Sequence, residues 1–199
     1  MKVTEAKKIT DSLTRTSKMP GLSYSLPAWA CQTGSKLRKV KTSPCYGCYA
    51  LKGNYKRYPA IKAAQYRRLD AINHPRWVEA MAAQIIRQKY FRWHDAGDLQ
   101  SVEHMQKIIE VCKLTPDTKH WLPTQERQYL PKPEDVPENL IIRLSAARVD
   151  GTAGNAWSHS STVVTDGTAS CPAPNQGGKC MECRACWNKD IKNVSYGKH

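Results

Sequence analysis

The sequence predicts an α/β protein: a partial β/α barrel or an open, mostly parallel sheet, with cysteine-rich segments at its N- and C-terminal ends. Three observations carry this. Apolar runs at 90–93, 119–122 and 139–144 each end in a polar cluster, as strands do where they leave a sheet. A helical stripe of Val102, Met105, Ile108, Ile109 and Cys112 separates the first two, with Ser101 placed to cap it. Strand, helix, strand in that order implies a parallel pair and a right-handed crossover. A closed eight-fold barrel takes about 250 residues, whereas this chain has 199.

In chain order, residues 1–58 are interrupted by Pro20, Gly21, Pro27, Gly34, Pro44, Gly47 and Gly53, and read as short helices and loops. Pro59 suits a first helical turn, and Ile61, Ala64, Tyr66, Leu69 and Ile72 give that helix a loose apolar stripe. Trp77, Met81, Ile85 and Ile86 mark a second helix. Residues 161–165 offer a fourth strand after the three above. The chain reads as one domain in three parts: a basic cysteine-containing segment 1–58, a β/α core 59–165 and a C-terminal cysteine segment 166–199.

Ligands of such sheets sit at the carboxyl ends of the parallel strands. His94, Asp95, Asp98, Gln125 and Glu126 fall there, and are the candidate catalytic residues, as proton donors or orienters. For Asp95 and Asp98 a structural role, such as capping the next helix, competes with this one. Arg148 falls at the third strand end and reads as solvated loop. Arg143 is a lone charge in an apolar strand, which needs an anion or one of the carboxylates as partner.

Composition narrows the partners. Thirty-one Lys and Arg against 17 Asp and Glu give +14, and an anionic partner is expected. No run is long and apolar enough for a membrane, and residues 1–27 lack a secretory core, so a cytoplasmic protein is expected. Charge is concentrated: residues 12–69 contain no Asp or Glu but carry twelve Lys and Arg, from Arg15 to Arg68. Tyr46, Tyr49, Tyr55, Tyr58 and Tyr66 lie among these cations. Such a segment suits single-stranded nucleic acid. Alternatively, the tyrosines pack around an anionic metal centre whose charge the cations offset.

Eight cysteines in a reducing compartment point to metal or catalysis rather than disulfides. Cys171, Cys180, Cys183 and Cys186 form a C-x8-C-x2-C-x2-C set, whose short spacers turn successive thiolates toward one centre. Cys31, Cys45 and Cys48 form C-x13-C-x2-C upstream. These three could hold a cluster with one open iron, share a site with the C-terminal set, or build a zinc loop. The run of two-residue steps is closer to ferredoxin-type clusters than to a zinc ribbon, so one or two [4Fe–4S] clusters are expected, with zinc as the alternative. Cys112 shares the apolar face of its helix and belongs to the core.

Four stretches carry a family likeness: Ser17-Lys18-Met19-Pro20 with Leu26-Pro27, residues 45–53 (CYGCYALKG), residues 92–100 (RWHDAGDLQ), and Cys183-Arg184-Ala185-Cys186-Trp187 with Val194…His199. Over nearly the whole chain the sequence resembles the bacteriophage gene product eighty-eight-like proteins. That resemblance implies a phage or prophage origin, hence the host cytoplasm, and a cysteine-bound metal centre, but no reaction. The β/α pattern with a three-cysteine set also resembles radical S-adenosylmethionine enzymes at the level of fold. It departs from their C-x3-C-x2-C signature and lacks their Gly-rich cofactor strand.

The function expected is therefore an iron–sulfur oxidoreductase or radical-type enzyme acting on a small anionic substrate. A zinc-stabilised nucleic-acid-binding protein, and an electron carrier serving a redox partner, are the alternatives.

Overall fold

The computed structural model describes residues 1–198. Alternation along its strands sorts one open seven-stranded sheet into two unlike faces. The strands are β1 (Thr14–Arg15), β2 (Leu22–Tyr24), β3 (Tyr90–Trp93), β4 (Lys119–Thr124), β5 (Leu140–Ser145), β6 (Ser160–Val164) and β7 (Asn193–Gly197), neighbours in that order. β1 runs antiparallel to β2, and every later pairing is parallel. The sheet does not close.

One face carries Phe91 and Trp93, His120 and Leu122, Leu140 and Ile142. Most of these join a core completed by α5 (Trp77–Ile85) and α6 (Val102–Leu114). Met105, Ile108, Ile109 and Cys112 supply the α6 side, as its spacing predicts, and Ser101 Oγ accepts from His104 N at 3.1 Å as the N-cap. The opposite face carries Tyr90, Arg92, Trp121, Ile141 and Arg143. There the 3-10 turn Ala185–Trp187 covers the sheet, with Trp187 edge-on to Trp121 at 5.3 Å and to Tyr90 at 5.4 Å. Helices thus cover one face, and the C-terminal cysteine segment covers the other.

Three readings of the sequence need correction. Residues 1–58 hold more than short helices and loops: α1 (Val3–Thr10), β1 and β2 lie there along with α2 (Gln32–Leu37) and α3 (Gly53–Arg57). β7 lies in the C-terminal segment, where no strand was expected. α4 (Pro59–Ala71) buries the predicted stripe only in part: Ile72 joins the core and Leu69 packs against it, but Tyr66 is exposed while Gln65, Arg68 and Ala71 face inward. The reason is a polar seam. Gln65 donates to Ser25 Oγ at 2.9 Å, and the Arg68 guanidinium donates to Ser12 O, Thr14 Oγ1 and Ser25 O. Buried polar groups satisfied in this way substitute for apolar packing.

Candidate functional site

The carboxyl ends of β2, β3 and β4 meet at one rim, and the first three cysteines gather above it. Leaving β2, the chain binds back through Leu26 N to Ala96 O at 2.8 Å, then turns through a 3-10 turn, Ala28–Ala30, to Cys31, which begins α2. Gly34 adjoins both thiols: Cys31 Sγ and Cys45 Sγ lie 3.8 and 3.9 Å from the point where a Gly34 Cβ would stand, and Cys31 Cβ lies 3.0 Å from it. Cys48 packs against Ala28, Ala50 and Ala96, small residues that let both loops approach the end of β3. Burial first, then Asp98, Cys48, Cys45 and Glu126, push the Cys31 thiol far up; burial and Cys48 raise Cys45 to about 11. Crowded negative groups make this corner a place where a cation would be welcome.

Asp98 and Glu126 border these thiols but are held from within. Asp98 accepts from Leu99 N at 2.8 Å, Thr124 Oγ1 at 2.6 Å and Gln125 N at 2.9 Å, yet burial outweighs these bonds and raises it to about 7. Its bonds join the ends of β3 and β4 rather than capping α6. Glu126, fully buried, accepts from Thr33 N at 2.8 Å and Thr33 Oγ1 at 2.6 Å, and so ties the Cys31 loop to β4. Gln125 donates to Ala146 O at 3.0 Å, linking β4 to β5. Asp95 accepts from Ser23 Oγ at 2.7 Å and Tyr55 OH at 2.8 Å, while its carbonyl accepts from Tyr49 OH. Arg148 is exposed and donates to Thr42 Oγ1.

His94 does not join the rim. Its φ of +55° breaks the strand alternation, and its ring lies among Trp93 and His104, 2% exposed, with both nitrogens unbonded. Burial holds its pKa well below the usual imidazole range. The expectation that it faces a ligand is corrected: left-handed backbone turns it into the core.

The second cysteine group lies across the other face of the sheet. Cys171 N donates to Ser195 O at 3.0 Å on β7, Cys180 N to Lys18 O at 2.8 Å, and Cys183 N to Cys180 O at 2.9 Å. Cys186 Sγ meets Tyr196 OH at 3.3 Å, and burial raises Cys186 to about 11. Cys171 lies near enough to both Cys180 and Cys186 to raise each further. Each thiol of the two sets with a raised pKa is raised by cysteines of its own set and by none of the other.

Arg143 fixes this segment. It is fully buried, and its five donors go to five carbonyls: Nε to Cys186 O (3.2 Å), Nη2 to Ala185 O (2.9 Å) and Asn188 O (3.1 Å), Nη1 to Ser160 O (3.3 Å) and Lys192 O (3.4 Å). The partner expected from sequence was an anion or a carboxylate; backbone carbonyls take that place. Arg92 stands on the same face with its guanidinium 4.6 Å over Trp121 and its Nε unbonded. Burial works against its charge, but Tyr49, Asp95, Tyr196 and Cys186 outweigh burial and raise its pKa. Arg92 therefore stands between the Cys48–Tyr49 loop and Cys186. Thr33, Arg92 and Tyr196 were not singled out from sequence; Tyr49 was, as one of the tyrosines expected either to stack on bases or to pack around a metal centre. For Arg92 the signal was available, since it is a lone charge between aromatic residues in a strand, as Arg143 is among aliphatic ones.

A family model described as Gene product 88 matches residues 1–189. The chain belongs to the Gene product 88 family. No curated protein and no solved structure matches it, so the fold-level likeness to radical S-adenosylmethionine enzymes gains no support from known structures. Among the described residues no helix is long and apolar enough to cross a membrane. Nor do three His, Cys, Asp or Glu side chains there converge as one bound metal ion requires.

Proposed function

We propose that this Gene product 88 protein is an iron–sulfur redox protein with two centres. Cys171, Cys180, Cys183 and Cys186 would hold one. Cys31, Cys45 and Cys48 would hold the other, leaving a position open to a small anionic substrate. The observation that carries this reading is the Arg92 guanidinium, half-buried beside Cys186 and Tyr196, with Nε unbonded and in no ion pair among the described residues. A cation withdrawn from water without an acidic partner calls for an anion, and four thiolates on a cubane or a zinc leave net negative charge.

Spacing favours the cluster. The successive two-residue steps of Cys180, Cys183 and Cys186 match ferredoxin-type runs more closely than the two well-separated C-x2-C pairs of a zinc ribbon. When bound, such a group supplies one-electron chemistry and, at an uncommitted iron, Lewis acidity. The chain's own part is to hold it: Glu126 fixes the Cys31 loop through Thr33, Asp98 locks β3 to β4, and Arg143 pins the C-terminal segment.

Oxygen-free purification should yield brown protein containing iron and acid-labile sulfide. Colourless protein with stoichiometric zinc rejects the reading. One observation favours electron carriage without a substrate: the oxygens of Asp95, Asp98 and Glu126 are already bonded within the protein. Cys31→Ser separates the two, since a pure carrier keeps its C-terminal centre and that centre's reduction signal.

A further inference from the structure

We propose that the surface formed by residues 29–66 binds single-stranded nucleic acid, through aromatic rings that stack on bases and cations that contact phosphates. Every exposed large aromatic side chain among the described residues lies in this interval: Trp29, Tyr46, Tyr49, Tyr58 and Tyr66. The other exposed large apolar side chains, such as Val3, Ile86 and Leu114, are aliphatic or Met and lie elsewhere. Rings gathered around a metal centre would be buried. Of the five tyrosines in this interval, Tyr55 alone is partly buried and the other four are exposed.

The elements bearing these rings are continuous. The turn Ala28–Ala30 packs on α2 and on the turn Tyr49–Leu51, which packs on α3, which in turn packs on α4. Lys62 and Tyr66 are four residues apart and both exposed, which puts cation and ring on one side of α4, and exposed Tyr58 stands at the N-cap of the same helix. Lys56, Arg57 and Arg67 flank them, also exposed. Tyr49 is anchored: its hydroxyl donates to the Asp95 carbonyl and its ring meets Tyr55 edge-on at 5.9 Å, while the side chain stays 53% exposed. A ring tethered at its tip and open on a face stacks with little loss of freedom.

Charge decides the partner. Residues 12–69 contribute twelve positive and no negative side chains, and among the described residues Arg67 is the one cation of that segment in an ion pair, with Asp11 at 2.7 Å. Unneutralised cations without rings would suit any polyanion. Interleaved rings need exposed base faces, which a duplex hides and a single strand presents.

The test is fluorescence anisotropy of the as-purified full chain with a labelled oligothymidylate, the same-length duplex, and phosphatidylglycerol vesicles. It reads no metal chemistry, so its failure leaves the two-centre proposal standing, and the reverse. The single strand should bind at about 50 mM salt, more tightly than the duplex, with affinity falling as salt rises. Tyr58→Ala and Tyr66→Ala, both exposed, should each weaken it roughly tenfold, as the loss of one base stack does. Lys62→Gln should lower the salt slope by about 0.7. No binding at low salt overturns the proposal. So does equal binding of duplex with the tyrosine variants unchanged, or binding of vesicles in place of the strand.

Discussion

Replacing Arg143 with methionine removes five donors at once and leaves the carbonyls of Ser160, Ala185, Cys186, Asn188 and Lys192 without them. Hydrogen bonds from a charged donor are worth about 1.5–3 kcal/mol each, so five would total near 10 kcal/mol if they added. They do not add. The variant also escapes the cost of burying a guanidinium, and carbonyls at the 3-10 turn can recover water. Losses for breaking buried charged networks run about 3–5 kcal/mol, and that is the expected fall in unfolding free energy. Urea titration followed by circular dichroism measures it. Hydrogen exchange by mass spectrometry locates it: peptides covering 160–164 and 185–197 should lose protection while α5 and α6 keep theirs. Arg143→Lys keeps the charge but lacks the fork, and should recover less than half of the loss. A loss below about 1 kcal/mol, or full recovery by lysine, refutes the claim that the carbonyl network holds the segment.

Acid should destabilise the metal-free protein. Burial holds His104 and His120 at about 3 and His94 well below its usual value, so the unfolded chain binds more protons than the folded one below about pH 6.5. Their neutral state favours the fold above that pH, and at pH 5 His104 and His120 each cost about 2 kcal/mol. Asp98 acts oppositely: its pKa is raised to about 7, so protonation between pH 7 and 4 favours the fold and returns about 2.5 kcal/mol at pH 5. From pH 7.5 to 5 His104, His120 and Asp98 together leave a net loss of about 1.5 kcal/mol, to which His94 adds in the same direction, and a urea midpoint flat over that range contradicts it. Gly97→Ala meets a φ of +82° and a Cβ 2.5 Å from Leu26 Cβ and 2.8 Å from Leu26 O. A loss of about 3–5 kcal/mol, read by thermal melting, is expected. Asp98→Asn sets an amide where three donors converge, and should cost about 2–3 kcal/mol and quicken Cys31 alkylation. Unchanged alkylation would detach Asp98 from the cysteine corner.

How legible each part was follows from what its residues bury. β3 to β6 and α5 and α6 were readable because their apolar residues repeat at the period of the element. β2 was not: its three residues, Leu22-Ser23-Tyr24, are too few for a period to show, and a parallel neighbour 69 positions away, pairing Leu22 with Phe91 and Tyr24 with Trp93, completes it. β7 hid for another reason. Asn193-Val194-Ser195-Tyr196-Gly197 faces a polar segment, so Ser195 is buried by its bonds to Ser170 rather than by hydrophobicity. The cysteine spacing left open whether Cys31, Cys45 and Cys48 form a set of their own or share a site with the C-terminal four. His94 was misread because strand alternation holds only while φ stays extended, and one left-handed residue reverses the side it faces.

The unequal faces of the sheet give the two cysteine groups different physical supports. The first hangs on loops leaving β2, held by the Thr33–Glu126 bonds and by the small side chains of Ala28, Ala50 and Ala96. The second rests on a face that no α-helix covers, held by Arg143 and by the exchange between Ser170 and Ser195. Neither support depends on the other's residues. Arg92 is the exception: it stands on the second face, yet reaches both the Tyr49 loop and Cys186. A charge in that position is felt on both sides, so the groups are mechanically independent while remaining electrostatically linked through one side chain.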